Sequence, residues 1–382
     1  MRLGSARPGS RYVLVFACLL LVGCSSSNMA GNPAPSPTPV PLSAPEFVYA
    51  NGSNQVAQFT VNPGSGALSA PVFTPLPLPA LPSYLAHPAG GFLYVSDQGD
   101  SQVIGFSIAA AGGALTPIGG SPFTFIGMPV GGSGPIAIDP VHQFLFFVSD
   151  KGGIGISTID PATGALTPGP DIALPAGISP VAAAVDPAGK FLFVLNQADA
   201  TTGEVLVFQI NQANGNLALV PGSPFVSIAN SAPGGLAVHP SGKFLFVSSF
   251  AGVTPMSIDA ATGVLAPLPG SSGPSALLDT NLALHPSGNF IYVTDFVGST
   301  VTGFSVNSTN GALSRIGVLT TGLAPRSVAV DPSGQYLYVA NFSGGSISAF
   351  FIHPVTGMLS PVPGSPFPAG ATLQQLAIAK VP

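Results

Sequence analysis

The chain is poor in charged residues, and it lacks the residues that build long helices or covalent cross-links. Only 6% of its residues are charged, it has no tryptophan, and both of its cysteines fall within the first 24 positions. Its 48 glycines and 42 prolines exclude long helices, because glycine is costly inside a helix and proline removes a backbone donor. Beyond the first 24 residues no disulfide can form. The fold must therefore be built from short strands and turns.

The sequence also lacks an apolar run long enough to span a bilayer comfortably. The longest run covers residues 12–23, whereas a spanning helix needs roughly 20 residues. Three arginines precede it and small residues end it, which predicts an export signal over residues 1–23. Leu21-Val22-Gly23-Cys24 resembles the lipobox of bacterial lipoproteins, which implies lipidation of Cys24. The alternative is an ordinary cleaved signal in which this cysteine is incidental.

Residues 24–45 are rich in serine, proline and alanine and predict an extended tether between the lipid and the fold. Ser25 stands where an aspartate commonly retains lipoproteins in an inner membrane. We therefore expect a bacterial cell-envelope protein in the outer membrane, facing the periplasm or the exterior. Cleavage would leave six basic against 14 acidic residues, a net charge of −8, which argues against a nucleic-acid partner.

A short motif recurs along the rest of the chain. It reads LAVHPSGKFLFVSSF at residues 236–250, LALHPSGNFIYVTDF at residues 282–296 and VAVDPSGQYLYVANF at residues 328–342. Its Asp-Pro or His-Pro dipeptide begins at His87, Asp139, Asp186, His239, His285 and Asp331. The spacing of 46 to 53 residues is typical of four-stranded propeller blades.

Each repeat divides into four short apolar runs, which we label strands a to d. The runs are nearly continuously apolar, as expected for sheets that are covered on both faces. Residues 47–71 supply strands b, c and d without a strand a, and residues 373–379 resemble a lone strand a. The pattern predicts an all-β, seven-bladed propeller of four-stranded antiparallel blades over residues 46–382. The C-terminal strand would complete the N-terminal blade and close the ring.

The repeated turns offer the histidines a structural role. In the a–b turn a short polar side chain at the first position can hydrogen-bond the backbone, while proline suits the second position and glycine the fourth. The c–d turn ends on a glycine that suits a left-handed conformation, and one such turn begins at His353. No histidine is left as an obvious general base.

A functional site is expected on one face of the propeller. The a–b and c–d turns share one face, here called the turn face, whereas the b–c loops and d–a connections share the other, the loop face. Long irregular segments lie only on the loop face, where function tends to be placed. Strand b is predicted to end there on a polar residue in each blade: Asn51, Asp97, Asp150, Asn196, Ser249, Asp295 and Asn341.

These polar residues have two interpretations. Either they cap the b–c loops through hydrogen bonds, or they form a ligand-binding ring around the channel mouth. The candidate ligand-binding residues are Asp97, Asp150, Asn196, Asp295 and Asn341.

Acidic residues dominate the predicted loop face. They are Asp97, Asp100, Asp150, Asp171, Asp199, Glu204, Asp279 and Asp295, against Lys151 and Arg326. Such a mouth favours a cation or a polyol over a phosphorylated ligand. No segment has the spacing of a calcium loop, so no metal ligands and no cofactor are assigned, and a divalent cation in the channel is left as an alternative.

The strings YVSD at Tyr94, YVTD at Tyr292 and YVAN at Tyr338 each follow a Pro-x-Gly turn. They resemble the YVTN-type seven-bladed propellers and the lactonase family that includes 6-phosphogluconolactonase-like proteins. The resemblance covers residues 46–382 and implies a lactone hydrolase that uses Arg, His and Glu at the channel mouth. The family's Pro-Arg-His corresponds here to Pro325-Arg326-Ser327, and its Asn-Glu to Asn196-Gln197. Arg326 is therefore the one catalytic candidate.

Two functions follow from the sequence. The first is an exported, lipid-anchored, monomeric propeller that binds a small molecule or an envelope protein on its acidic loop face. The alternative is a hydrolase acting on a sugar lactone or a related lactone.

Overall fold

The structure is a computed structural model. It describes residues 44–52, 55–76, 84–86, 91–97, 101–125, 134–175, 177–199, 202–228, 232–268, 281–370 and 372–381. All regular elements in these ranges are β-strands, and none of the described residues forms a helix long and apolar enough to cross a membrane. The predicted export signal, Cys24 and nearly all of the tether lie outside the described residues.

The strands form seven antiparallel sheets, numbered as blades in chain order. Blade 1 contains β1 (Glu46–Gly52), β2 (Gln55–Thr60) and β3 (Val72–Pro75) and is completed by β32 (Leu376–Lys380). Blade 2 contains β4 (Tyr84–Ala86), β5 (Phe92–Asp97), β6 (Gln102–Ile108), β7 (Leu115–Pro117) and β8 (Phe123–Thr124). Blade 3 contains β9 (Ile136–Ile138), β10 (Phe144–Ser149), β11 (Gly153–Ile159), β12 (Leu166–Pro168) and β13 (Ile172–Ala173).

Blade 4 contains β14 (Pro180–Val185), β15 (Phe191–Gln197), β16 (Gly203–Ile210), β17 (Leu217–Leu219) and β18 (Phe225–Ile228). Blade 5 contains β19 (Pro233–Val238), β20 (Phe244–Ser249), β21 (Gly252–Ile258) and β22 (Leu265–Pro267). Blade 6 contains β23 (Leu282–Leu284), β24 (Phe290–Asp295), β25 (Thr300–Val306) and β26 (Leu313–Thr320). Blade 7 contains β27 (Pro325–Val330), β28 (Tyr336–Asn341), β29 (Ser346–Ile352), β30 (Leu359–Pro361) and β31 (Phe367–Pro368).

The ring closes through strand pairing between the two ends of the repeat region. β32 pairs antiparallel with β1, so that Glu46 lies opposite Lys380 and Ala50 opposite Leu376. This pairing satisfies the inner edge of blade 1, which would otherwise be left open. The predicted seven-bladed fold and its closure by the C-terminal strand are confirmed.

Hydrophobic clusters lie between successive blades. Tyr292 of blade 6 packs with Leu337 of blade 7, and Val48 of blade 1 packs with Tyr338 of blade 7. Equivalent clusters fill the other blade junctions among the described residues. Because each sheet is covered on both faces, strands such as β24 and β28 are buried along their whole length. This explains why the runs are continuously apolar.

One contact between an aromatic ring and a glycine is repeated around the ring. A ring at the start of each strand b packs against the final glycine of the next blade's c–d turn: Phe47 on Gly113, Phe92 on Gly164, Phe144 on Gly215, Phe191 on Gly263, Phe244 on Gly311, Phe290 on Gly357 and Tyr336 on Gly66. These glycines have φ values between 68° and 76°, and a Cβ would come within 3.0 Å of the ring in each case. Both the backbone conformation and the contact therefore require glycine.

The tyrosines of the YVTN-like strings also join neighbouring blades. The hydroxyl of Tyr94 donates to the carbonyl of Gly164 at 2.7 Å, and that of Tyr338 donates to the carbonyl of Gly66 at 2.9 Å. Tyr49 and Tyr292 make the same bond to the next blade. These tyrosines are structural.

The turn histidines act in a similar way on the turn face. His239 accepts the N–H of Ser241 at Nδ1 over 3.0 Å, and its Nε2 donates to the carbonyl of Gly288 over 3.1 Å. His285 repeats both bonds in the next blade. In His239 Nδ1 is thus an acceptor and Nε2 a donor, as in the neutral imidazole, and burial lowers the pKa of His239. The predicted structural role of these histidines is confirmed, while His87 lies outside the described residues.

Candidate functional site

The predicted polar positions lie at or beside the loop-face ends of strand b in six blades. Blade 3 differs, because β10 ends at Ser149 and the exposed Asp150 follows it. The predicted strand end is therefore off by one residue at Asp150, because Ser149 pairs directly with Gly153. It is also off by one residue at Asn51 and Asn196, after each of which the strand continues for one more residue. Asp97 ends β5 as predicted, and its side chain lies outside the described residues.

Most of these polar side chains are buried and hydrogen-bonded to nearby segments. Asn196 is 2% exposed and its Oδ1 accepts the N–H of Ser179 at 2.7 Å. Asp295 is 7% exposed and its Oδ1 accepts the N–H of Gly298 at 2.8 Å. Asn341 is fully buried, and its Nδ2 donates to the hydroxyls of two serines on β29. Asp295 thus caps its b–c loop, Asn196 caps the segment that leads into β14, and Asn341 links strands b and c of its blade. A ligand-binding role for the three residues stays a prediction.

The other acidic residues of this face have mixed environments. Asp150 and Asp199 are exposed, and Glu204 is half-buried opposite Asn196. Asp171, predicted on the loop face, instead lies beside Ile156, a residue in the middle of β11. It is half-buried, and burial raises its pKa to about 6 against the opposing effect of the Ile156 N–H. No three His, Cys, Asp or Glu side chains in the described parts of the chain come close enough to hold a metal.

One part of the loop face that the structure describes without a gap lies between blades 6 and 7. We call it the blade 6–7 rim. It consists of the b–c loops 296–299 and 342–345, the connection 321–324, and Arg326 at the start of β27. It contains an exposed cation, two neighbouring aromatic rings and two exposed aliphatic side chains.

Arg326 and the two aromatic rings form a continuous array. The guanidinium carbon of Arg326 lies 5.3 Å from the centroid of the Phe342 ring, a cation–π distance. The Phe342 ring lies 6.2 Å from that of Phe296, tilted by 42°. Both rings are partly exposed, whereas Arg326 is exposed on the innermost strand of its blade. The arginine is therefore available at the channel mouth and is oriented by the ring beneath it.

A strained backbone holds the segment that leads into Arg326. Ala324 has a φ of 54°, a conformation that costs a non-glycine residue about 1–2 kcal/mol and is further disfavoured before a proline. Its N–H donates to the Ser299 hydroxyl at 3.2 Å, and its carbonyl accepts the N–H of Phe342 at 2.9 Å. Backbone strain of this kind persists where surrounding contacts impose it, and it clusters at functional sites.

The neighbouring residues of the connection are held in place by both adjacent blades. The N–H of Thr321 donates to the carbonyl of Ser299 at 2.9 Å, and the N–H of Gly344 donates to the carbonyl of Leu323 at 3.2 Å. The Leu323 side chain nevertheless remains 65% exposed, and Val297 in the facing b–c loop is 55% exposed. The rim thus presents rigidly held apolar side chains to solvent.

Arg326 was found by its resemblance to a family pattern, whereas the phenylalanines were missed. Phe250, Phe296 and Phe342 each follow strand b directly, in blades 5, 6 and 7. The same register position carries Asp150 in blade 3 and Gln197 in blade 4. The signal was present in the sequence, since each of the three quoted copies of the motif ends in phenylalanine.

The rim has the elements needed for chemistry on a polarised carbonyl group. Arg326 supplies a permanent positive charge with several N–H donors, and the rings supply an apolar surface beside it. Asp295 ends β24, the blade 6 strand that packs against β27. His239 and His285 belong to the turn face and cannot contribute here.

Comparison with solved structures supports the assignment of the fold. A candidate 6-phosphogluconolactonase from Bacteroides fragilis is 18% identical with a TM-score of 0.69, and the alignment covers 88% of this chain and 99% of that one. The periplasmic gluconolactonase of Pseudomonas aeruginosa is 16% identical with a TM-score of 0.70, over 89% of this chain and all of the other. No curated protein sequence matches the chain significantly.

A sequence profile identifies the family. The profile described as "Lactonase, 7-bladed beta-propeller" matches residues 174–277 and residues 278–372, which together make up more than half of the chain. The two matches span blades 4 to 7, including Arg326 and both rings of the rim. The chain belongs to the lactonase family of seven-bladed β-propellers.

Proposed function

We propose that this protein is a lactone hydrolase whose reaction takes place at the blade 6–7 rim. The observation that carries the proposal is the presentation of Arg326, exposed at the loop-face end of an inner strand and preceded by a strained residue that two neighbouring loops hold. Membership of the lactonase family and the gluconolactonase name of one structural neighbour support it.

The proposed reaction needs a positive charge where the carbonyl oxygen becomes negative. Water attacks the lactone carbonyl carbon, and the carbonyl oxygen takes up the electron pair as an oxyanion. The Arg326 guanidinium donates hydrogen bonds to that oxyanion. The tetrahedral intermediate then collapses, the bond from the carbonyl carbon to the ring oxygen breaks, and the product is a hydroxycarboxylic acid.

The proton balance requires a base for the attacking water. We assign this role to Asp295, the carboxylate at the end of β24, with one oxygen held by the N–H of Gly298. The carboxylate takes a proton from water during attack and returns it to the ring oxygen as that oxygen leaves. No histidine is needed in this scheme.

Titration of released acid at constant pH tests the proposal on the purified full chain. Arg326→Ala is expected to lower kcat about 100-fold or more, the usual effect of losing an oxyanion donor. The matched control is Arg315→Ala, which removes an exposed arginine from β26 and should leave the rate unchanged. A wild-type rate in a folded Arg326→Ala variant would contradict the proposal.

Asp295→Asn tests the proposed base without removing the loop cap. Asparagine occupies the same position in blade 4 and blade 7, and its Oδ1 can still accept the N–H of Gly298. The expected result is a loss of about 100-fold or more in kcat with an unchanged unfolding temperature. Unchanged kcat would show that another group activates water.

We also propose that the protein works in the bacterial cell envelope, anchored through Cys24 and held off the lipid by residues 24–45. The lipobox-like sequence and the periplasmic location in the name of the Pseudomonas aeruginosa neighbour support this. Metabolic labelling with a fatty acid tests it, because incorporation should be abolished by Cys24→Ser. Ligand capture on the loop face with no turnover of any lactone would instead favour a purely binding role.

A further inference from the structure

The residues around the channel mouth differ in polarity from one side to the other, and this difference affects which substrates can bind. This inference rests on the proposed lactone hydrolysis and concerns which lactones the site accepts. At the register position that follows Ser249, Asp295 and Asn341, blades 5 to 7 carry phenylalanine, whereas blade 3 carries an exposed aspartate and blade 4 carries a glutamine, the last residue of β15. The channel mouth therefore has an aromatic side, on which Arg326 lies, and a polar side across from it.

The aromatic side continues into exposed aliphatic residues. Leu323 lies between the b–c loops of blades 6 and 7, because its carbonyl accepts the N–H of Gly344 and the next residue donates to the Ser299 hydroxyl. Val297 lies in the blade 6 loop. The side chain of Leu323 is 65% exposed and that of Val297 is 55% exposed. Because hydrogen bonds hold the backbone of the connection, these side chains form an exposed apolar surface that an apolar group can contact.

The charges near the rim disfavour a phosphate group. Arg326 and Lys151 are the basic residues that the structure describes on the loop face, and Lys151 belongs to blade 3. Exposed Asp150 and Asp199 and half-buried Glu204 lie on the polar side. A phosphate dianion bound through Arg326 would occupy the one cation of the rim that the carbonyl oxygen needs, and it would face these carboxylates across the channel mouth.

We infer that the preferred substrate is an uncharged lactone with a hydrocarbon substituent, and not a phosphorylated sugar lactone. The lactone carbonyl lies at Arg326, and the substituent extends over Phe342 and Phe296 towards Leu323. Each methylene group in such a contact contributes to discrimination between substrates, within the limits typical of hydrophobic pockets.

Four lactones separate the alternatives on the purified full chain: δ-valerolactone, δ-decalactone, glucono-δ-lactone and 6-phosphoglucono-δ-lactone. We expect kcat/KM for δ-decalactone to exceed that for its unsubstituted parent by about tenfold or more, mostly through KM. The phosphorylated lactone should be the poorest substrate. Leu323→Ser should lower the ratio of kcat/KM between δ-decalactone and δ-valerolactone by about tenfold.

The matched control is Leu219→Ser, which replaces another exposed leucine on the outer strand β17 of blade 4 and should leave that ratio unchanged. Preference for the phosphorylated lactone, or an unchanged ratio in Leu323→Ser, would overturn this inference while leaving lactone hydrolysis intact. Hydrolysis of none of the four would contradict the proposed function as well.

Discussion

The closure of the ring contains a buried carboxyl group whose titration should be measurable. The side chain of Glu46 on β1 is fully covered, and neither of its carboxylate oxygens accepts a hydrogen bond. Lys380 on the closing strand lies 3.8 Å away, and the fully buried Asp331 and Tyr336 of blade 7 lie beside it. Burial and the Asp331 carboxylate raise the pKa of Glu46 to about 8, opposed by Lys380.

The direction of the effect on stability follows from this shift. In the unfolded chain Glu46 loses its proton near pH 4.5, whereas in the folded protein it keeps the proton up to about pH 8. The stabilisation that comes from the raised pKa of Glu46 is fully present below pH 4.5 and is lost as pH rises towards 8. Over this interval the free energy of unfolding falls by about 1.4 kcal/mol per pH unit. The total is on the order of 3 to 5 kcal/mol.

Glu46→Gln removes this titration while keeping a neutral group that can donate to Asp331. The variant should therefore gain stability relative to the wild type as pH rises from 5 to 8. With an unfolding entropy of about 2.1 cal/mol/K per residue and roughly 340 folded residues, the gain in unfolding temperature is about 4 to 7 °C.

Thermal unfolding by far-UV circular dichroism suits the measurement, because the chain has no tryptophan. The control variant is Glu204→Gln, which replaces the other glutamate of the sequence, on β16 of blade 4. It shows how the loss of a carboxylate elsewhere changes the unfolding temperature. If the unfolding temperatures of the wild type and Glu46→Gln change in parallel between pH 5 and pH 8, the reasoning about this buried carboxyl is refuted.

Three further changes test the packing and the rim. Gly357→Ala places a Cβ 2.3 Å from a ring carbon of Phe290 and should lower the free energy of unfolding in urea by more than about 2 kcal/mol. The control is Gly112→Ala, which is also at positive φ but has nothing within 4 Å of the added Cβ, and it should lower that free energy by only about 1 kcal/mol. Tyr338→Phe removes a buried donor to a blade 1 carbonyl and should lower the free energy of unfolding by about 1–2 kcal/mol, and no loss would contradict the proposed link between blades. Ala324→Gly relieves the positive φ and should raise the free energy of unfolding by about 1 kcal/mol; a loss would show that the strain is absent in solution.

Much of the fold was predictable because the same arrangement of strands and turns is repeated in seven blades. The glycine at the end of each c–d turn was identified from its position, and its aromatic partner recurs at the start of strand b in the preceding blade. The split blade was also readable, because residues 47–71 lack a strand a and the C-terminal run supplies one, although the strand that forms covers Leu376–Lys380 and not residues 373–379. Repetition turns weak local signals into a strong pattern.

The site was less predictable, because it depends on contacts between different blades. The polar residue at the end of strand b suggested a ring open to ligand, yet Asn341 is fully buried and Asp295 nearly so. The strain at Ala324 and the array of Phe296, Phe342 and Arg326 arise from tertiary packing around one connection. The repeat places Phe296 and Phe342 at equivalent positions, but no spacing rule along the chain reports the strain at Ala324 or the contact of Arg326 with Phe342.

A crystal structure of the protein soaked with 5-hydroxydecanoate, the hydrolysis product of δ-decalactone, tests the central claim most directly. The account predicts density at the blade 6–7 rim, with the carboxylate within hydrogen-bonding distance of the Arg326 guanidinium and the alkyl chain over Phe342. Product bound on the turn face, or on the loop face away from Arg326, would contradict it.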